Sequence, residues 1–188
     1  MTFLHASLGP LFSRCSAVLG LFFFLALSVN EAQADITRFV GKYSGSAQVT
    51  SSDGRRTPRD MSVEISQTEE GFRVSWTSVT LRSGGARKEK SYAIDFVPSD
   101  RGSVFAAAMR KNVFGHEVPL NPMKGEPYVW ARITGDTLTV FSLFVDADGG
   151  YSMQQYDRTL AEGGLDLRFQ TIRGGEIERA VETFLTKD

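Results

Sequence analysis

MSVEISQTEEGFRVSWT, residues 61–77, decides the fold. Met61, Val63 and Ile65 alternate with Ser62, Glu64 and Ser66, and past Glu70-Gly71 the residues Phe72, Val74 and Trp76 alternate with Arg73, Ser75 and Thr77. Successive side chains on a strand point to opposite faces, so each run has one apolar and one polar side, and the glycine turn joins the two as a hairpin. The phase then slips, because Val79 and Leu81 fall on the other parity. One slip inside a strand predicts a β-bulge, which bends the strand and favours closure.

The same pattern extends outward. Phe39 to Val49 reads as a glycine-rich first strand, ended by a turn at Ser51-Ser52-Asp53-Gly54. Downstream, Tyr92, Ile94 and Phe96 share a face, and Val104 to Met109 is a continuous apolar stretch suited to a strand buried on both sides. Tyr128 to Ile133 and Thr137 to Val145 are the strongest strands, joined by Gly135-Asp136; Asp148-Gly149-Gly150 turns the chain into Tyr151 to Leu160, and Leu165, Leu167 and Phe169 follow Gly163-Gly164. Roughly nine strands at short, even spacing are the signature of an all-β sandwich or barrel. At the end the period changes: Ile177, Ala180, Val181, Phe184 and Leu185 are spaced as one face of an amphipathic helix, expected to pack on the sheet. Only Arg110 to Pro127 shows no sustained alternation; a connection of that length is usually a functional loop or disordered.

Residues 1–34 read as a secretory signal peptide: Arg14, then the apolar run Ala17 to Val29, then Ala32-Gln33-Ala34, with cleavage between Ala34 and Asp35. The apolar run falls short of the roughly 20 residues of a membrane-spanning helix. The mature domain, residues 35–188, has no apolar stretch long enough to span a bilayer. Cys15 and His5 leave with the leader, so His116 is its only histidine and it has no thiol. That excludes a cysteine nucleophile, a disulfide framework and any Cys- or multi-His zinc site. With 21 basic and 22 acidic residues, the chain has no general affinity for nucleic acid or anionic membrane. A cysteine-free exported domain without an N-x-S/T acceptor fits a bacterial periplasm best, with secretion beyond the cell left open.

The glycine-rich opening with Gly41-Lys42-Tyr43, the even run of strands and the late amphipathic segment together resemble the lipocalins of the calycin superfamily. Tyrosine stands here where that family's motif has tryptophan. The resemblance implies an up-and-down antiparallel β-barrel of the mature chain, closed by an arginine packed over the motif's aromatic ring. Arg158, Arg168 and Arg173 are the arginines in reach. It also implies an internal cavity for a small apolar ligand.

Trp76, Tyr128, Trp130 and Tyr156 are the candidates to line such a cavity, since barrel ligand sites are mostly aromatic; the alternative is that they fill a packed core. Arg132 shares the parity of Tyr128 and Trp130. Pointing inward it needs a carboxylate, from the protein or from a ligand, whereas pointing outward it is a solvated residue with its stem over the rings. Phe114, His116 and Leu120 on the long connection are candidate lid residues. Asp146-Ala147-Asp148-Gly149-Gly150 faintly resembles a calcium loop but lacks the later acidic ligand, so a hairpin turn is expected. Asp157 and Arg158 are strand neighbours and face opposite ways.

No G-x-S-x-G elbow or acid–base pair is present, and no cofactor or metal is called for. The expected function is non-enzymatic binding of a small hydrophobic or amphipathic molecule. The alternative is a cell-envelope module that meets a protein partner through an exposed apolar patch around Val113, Phe114 and Leu120.

Overall fold

The computed structural model describes residues 35–50, 54, 56–81, 84–111, 114 and 116–188. The expected signal peptide, ending at Ala34, lies outside the described residues, as does Val113. A 3-10 turn, Ile36–Phe39, leads into β1 (Gly41–Thr50), β2 (Arg56–Gln67), β3 (Phe72–Leu81), β4 (Arg87–Pro98) and β5 (Val104–Ala107). The short pair β6 (Arg110–Lys111) and β7 (Glu117–Val118) and a second 3-10 turn, Pro122–Lys124, occupy the long connection. Then follow β8 (Tyr128–Thr134), β9 (Thr137–Val145), β10 (Tyr151–Ala161), β11 (Gly164–Arg173) and β12 (Glu176–Lys187). β6 and β7 pair with each other, and the other ten strands close into one antiparallel barrel in the order β1-β12-β11-β10-β9-β8-β5-β4-β3-β2. Among the described residues no helix is long and apolar enough to cross a membrane.

Two local expectations are corrected. The segment expected as a C-terminal helix is β12. Val181 and Leu185, 5% and 1% exposed, point into the barrel, while Ile177 and Phe184 are 56% and 42% exposed. A separation of four residues is even, so Val181 and Leu185 share a face under either period; only Ala180 and Phe184 argued for the helix. Pairing on both flanks decides for the strand: the unpaired edges of β11 and β1 find their backbone partners only in an extended β12. The second correction concerns the bulge. Pairing of β3 with β2 and β4 runs unbroken through Val79, and the irregularity lies instead between β11 and β12, at Thr171/Ile172.

Unbroken register means that β3 keeps one inward parity: Phe72, Val74, Trp76, Ser78, Thr80. What changes along it is the interior. Phe72, Phe96 and Phe105 pack at one end of the barrel, with ring centroids 5.1 Å and 5.0 Å from Phe72. Phe39 from the first 3-10 turn is fully buried beside them. Each such ring contributes about 1.5–3 kcal/mol by leaving water. At the other end the inward positions are Arg59 on β2, Ser78 and Thr80 on β3, Lys88 and Lys90 on β4, and Arg179 on β12. One end is a packed plug and the other is polar.

Closure rests on a short seam. β1 and β12 pair at Tyr43↔Lys187 and Ser44↔Thr186, reinforced by Ser44 Oγ donating to Asp188 Oδ1 (2.7 Å) and Asp188 N to Lys42 O (2.9 Å). Tyr43 is buried, and its hydroxyl donates to Phe39 O at 2.9 Å. The cation over its ring is Lys187, whose Nζ lies 5.6 Å from the centroid and donates to Val40 O at 3.1 Å. None of the arginines in reach fills that role. Arg168 pairs with Glu182 and Arg173 with Asp146, both exposed, and Arg158 lies inside the barrel. Glycines allow β12 to approach: a Cβ on Gly45 would stand 2.5 Å from Phe184 O, and one on Gly164 2.0 Å from Leu185 O.

Gly164→Ala should therefore destabilise the barrel by about 1–3 kcal/mol, since the clash is with backbone. Thermal unfolding followed by circular dichroism checks this, against Ser62→Ala on the outer face as control; equal melting temperatures would contradict the close approach of β11 to β12.

Candidate ligand-binding cavity

The polar end of the barrel holds a cavity of about 320 Å³. Its walls come from β2, β3, β4, β10, β11 and β12, the strands whose inward residues turn polar toward that end. Four aromatic rings form a chain across it. Tyr92 stacks on Trp76 at 5.3 Å, Trp76 meets Tyr156 at 5.4 Å, and Tyr156 meets Phe169 at 4.7 Å. The cross-strand register sets the chain: Trp76 pairs with Tyr92, and Tyr156 with Phe169.

Arg158 borders this cavity from β10 and is 1% exposed. Its Nε and Nη1 are buried and make no hydrogen bond. The guanidinium carbon lies 5.4 Å from the Tyr156 ring and 5.8 Å from the Trp76 ring. Such cation–π contacts return about 2 kcal/mol or somewhat more when desolvated, against an effective cost of several kcal/mol for stripping a charge of water. Burial accordingly pushes Arg158 down to about 10, so it remains a cation at neutral pH. The adjacent Asp157 gives no direct pairing. It faces the outside of the sheet, where it accepts from Thr139 Oγ1 at 2.7 Å and from Gln155 Nε2 at 2.8 Å.

Further cations surround the same space: Arg59, Lys88, Lys90 and Arg179. Arg59 Nε is buried without a hydrogen-bond partner, and burial, then the positive field of Arg179, holds its guanidinium below the usual arginine range. Among the described residues lining the cavity none is acidic. Burial also pushes the Tyr156 phenol up to about 12 despite the opposing pull of Arg158, so it stays neutral and donates to Gln154 Oε1 at 3.1 Å. The chemistry offered is a positive, aromatic pocket, exposed at its mouth where Lys88, Lys90, Tyr92 and Arg179 stand and desolvated at Arg158, with unused donors there.

Of the residues singled out from sequence, Trp76 and Tyr156 line the cavity. Tyr128, Trp130 and Arg132 lie on the outer face of β8, because Val129, Ala131 and Ile133 between them are the buried parity. There Trp130 stacks on Phe141 at 4.8 Å, and Arg132 lies over the same ring, 5.9 Å from its centroid. Phe114 is 81% exposed, His116 is exposed, and Leu120 packs against the core; none of the three borders the cavity. Asp146 to Gly150 is a hairpin turn, with Gly149 at φ 85°, and among the described residues no cluster of three metal-ligating side chains occurs.

Sequence reasoning set Arg158 on the opposite face from Asp157 and among the arginines that could pack over Tyr43, but gave it no ligand-binding role. The available signal was a single cation on the parity that the neighbouring apolar residues bury. Arg59, Lys88, Lys90 and Arg179 carried no such signal, being ordinary charges near turns.

No protein-family model matches the sequence, and no curated protein is significantly similar to it. Among solved structures, the chain is similar to an S-type phycobiliprotein lyase from Guillardia theta, with a TM-score of 0.35 and 10% identity over 81% of this chain and 90% of that one.

Arg158→Met should stabilise the protein by about 1–4 kcal/mol, the range found when buried ion pairs are replaced by packed apolar side chains, because here the charge has no pairing to lose. Denaturant unfolding measures it. A loss of stability instead would mean that the guanidinium has an internal partner.

Proposed function

We propose that the protein works after export, in a bacterial periplasm, as a non-enzymatic receptor or carrier for a small amphipathic molecule held in the open end of its barrel. The observation that carries this reading is the aromatic-lined cavity of about 320 Å³ opposite a tightly packed end. A barrel selected only for stability fills its interior with side chains. Here one end is filled and the other is left open, walled by rings and edged with charge. Export is supported by the arrangement of residues 1–34, with Arg14 ahead of an apolar run and a small-x-small cleavage site.

The neutral fluorophore N-phenyl-1-naphthylamine tests the cavity. Its emission should rise on binding, and at a hundredfold excess over Kd it should stabilise the protein by about 2.7 kcal/mol. Ser78→Phe, which fills the space from the wall of β3, should weaken binding at least tenfold, while Trp130→Phe on the outer face should leave it unchanged. Failure of the probe to bind, or equal binding in the Ser78→Phe variant, removes the reading. Export is checked by expressing the full chain in a Gram-negative host and sequencing the N-terminus of the periplasmic product. It should begin at Asp35; retention of Met1 in the cytoplasm would refute it.

A further inference from the structure

We infer that the molecule taken up by this cavity is an amphipathic monocarboxylate, its carboxylate bound by Arg158 and its apolar body lying along Trp76, Tyr92 and Phe169. The inference rests on the cavity being a binding site and adds the chemical class of its ligand. A guanidinium that is 1% exposed, with two nitrogens lacking any partner, leaves charge-assisted donors unsatisfied in the protein's interior. Such donors are costly to keep. A carboxylate is the planar anion that guanidinium donors fit best, and the bonds are strong because both groups are charged and water is excluded. The ligand carries a single charge because one fully buried cation stands at the inner end. The cations nearer the mouth differ from it: Lys88, Lys90 and Arg179 are exposed and keep their hydration.

The rest of the cavity agrees with an anion. Arg59, Arg179, Lys88 and Lys90 line it, and no ion pair engages them among the described residues. With no acidic side chain on the described lining, their summed field draws an anion inward and repels a cation. Trp76 and Tyr156 flank the guanidinium, so a carboxylate bound there lies beside both rings. Trp76 is therefore a built-in reporter of occupancy.

The test pairs matched probes on the full chain: 2-naphthoate against 2-naphthylmethanol, and decanoate against decanol, titrated by calorimetry at pH 7 into the wild type and Arg158→Met. The wild type should bind each carboxylate at least tenfold more tightly than its alcohol, and Arg158→Met should erase that preference while keeping the affinity for the alcohols. In a Trp130→Phe background, fluorescence from Trp76 alone should change on adding 2-naphthoate. Alcohols that bind the wild type as tightly as carboxylates overturn the assignment of charge and leave the cavity's binding role standing. Absence of binding by every probe, N-phenyl-1-naphthylamine included, removes both. The carboxylate-to-alcohol ratio is measured on the wild type, so the outcome does not depend on the variant folding.

Discussion

The seam where β1 meets β12 is the constraint on which the remaining structure depends. An antiparallel sheet of ten strands has two edges, each a row of unmet backbone donors and acceptors, and closure removes both. Closure here uses few pairs, centred on Tyr43↔Lys187, and gains strength from side chains that bind across it. Lys187 lies over the Tyr43 ring while bonding Val40 O, and Tyr43 holds the first 3-10 turn through Phe39 O. The strand that closes the barrel thus also seats Phe39 in the plug. Once one end is sealed in this way, an inward-facing position at the inner end of the cavity, next to the packed core, is shut off from water, whereas Lys88, Lys90 and Arg179 nearer the mouth stay exposed. Arg158, paired with the core residue Leu138, is buried for that reason.

A fully enclosed arginine without a carboxylate opposes stability, and the interior around it is arranged to limit that cost without cancelling it. The rings of Trp76 and Tyr156 face the cation, and the neutral Tyr156 phenol is turned to Gln154. Nothing in this arrangement serves packing, since an apolar residue at the same position would pack as well without the loss of hydration. Stability and binding pull apart at this residue, as they commonly do where a site must keep unsatisfied groups ready for a ligand.

Particular residues show how much was legible in the sequence. The hairpin of residues 61–77 was read with the right strands and the right turn, and strands β8 to β10 were each found within a residue of their bounds, while β11 runs four residues past Phe169. The change of parity at Val79 and Leu81 was a true signal given the wrong cause. Periodicity reports which side of a strand is apolar, and that side changes when the interior turns from plug to polar cavity even though the register runs on. At the C-terminus the ambiguity was numerical, since residues four apart share a face in a helix and in a strand alike. Trp76, Tyr128, Trp130 and Tyr156 were singled out together as aromatics; the first and last line the cavity, and Tyr128 and Trp130 lie outside because the sequence did not say which face of β8 is inward.

The sequence by itself determined that this is an all-β domain, with its strands, its hairpin turns and the alternation that sorts side chains onto two faces. These depend on nearest neighbours along the chain, through backbone sterics and the two-residue period. Which face became the inside, which strand closed the ring, and which arginine was shut away from water were decided only by the tertiary structure. Those outcomes depend on groups distant in sequence sharing one enclosed space. Arg158, Trp76 and Arg59 come from three strands, and their meeting exists only once the barrel has closed.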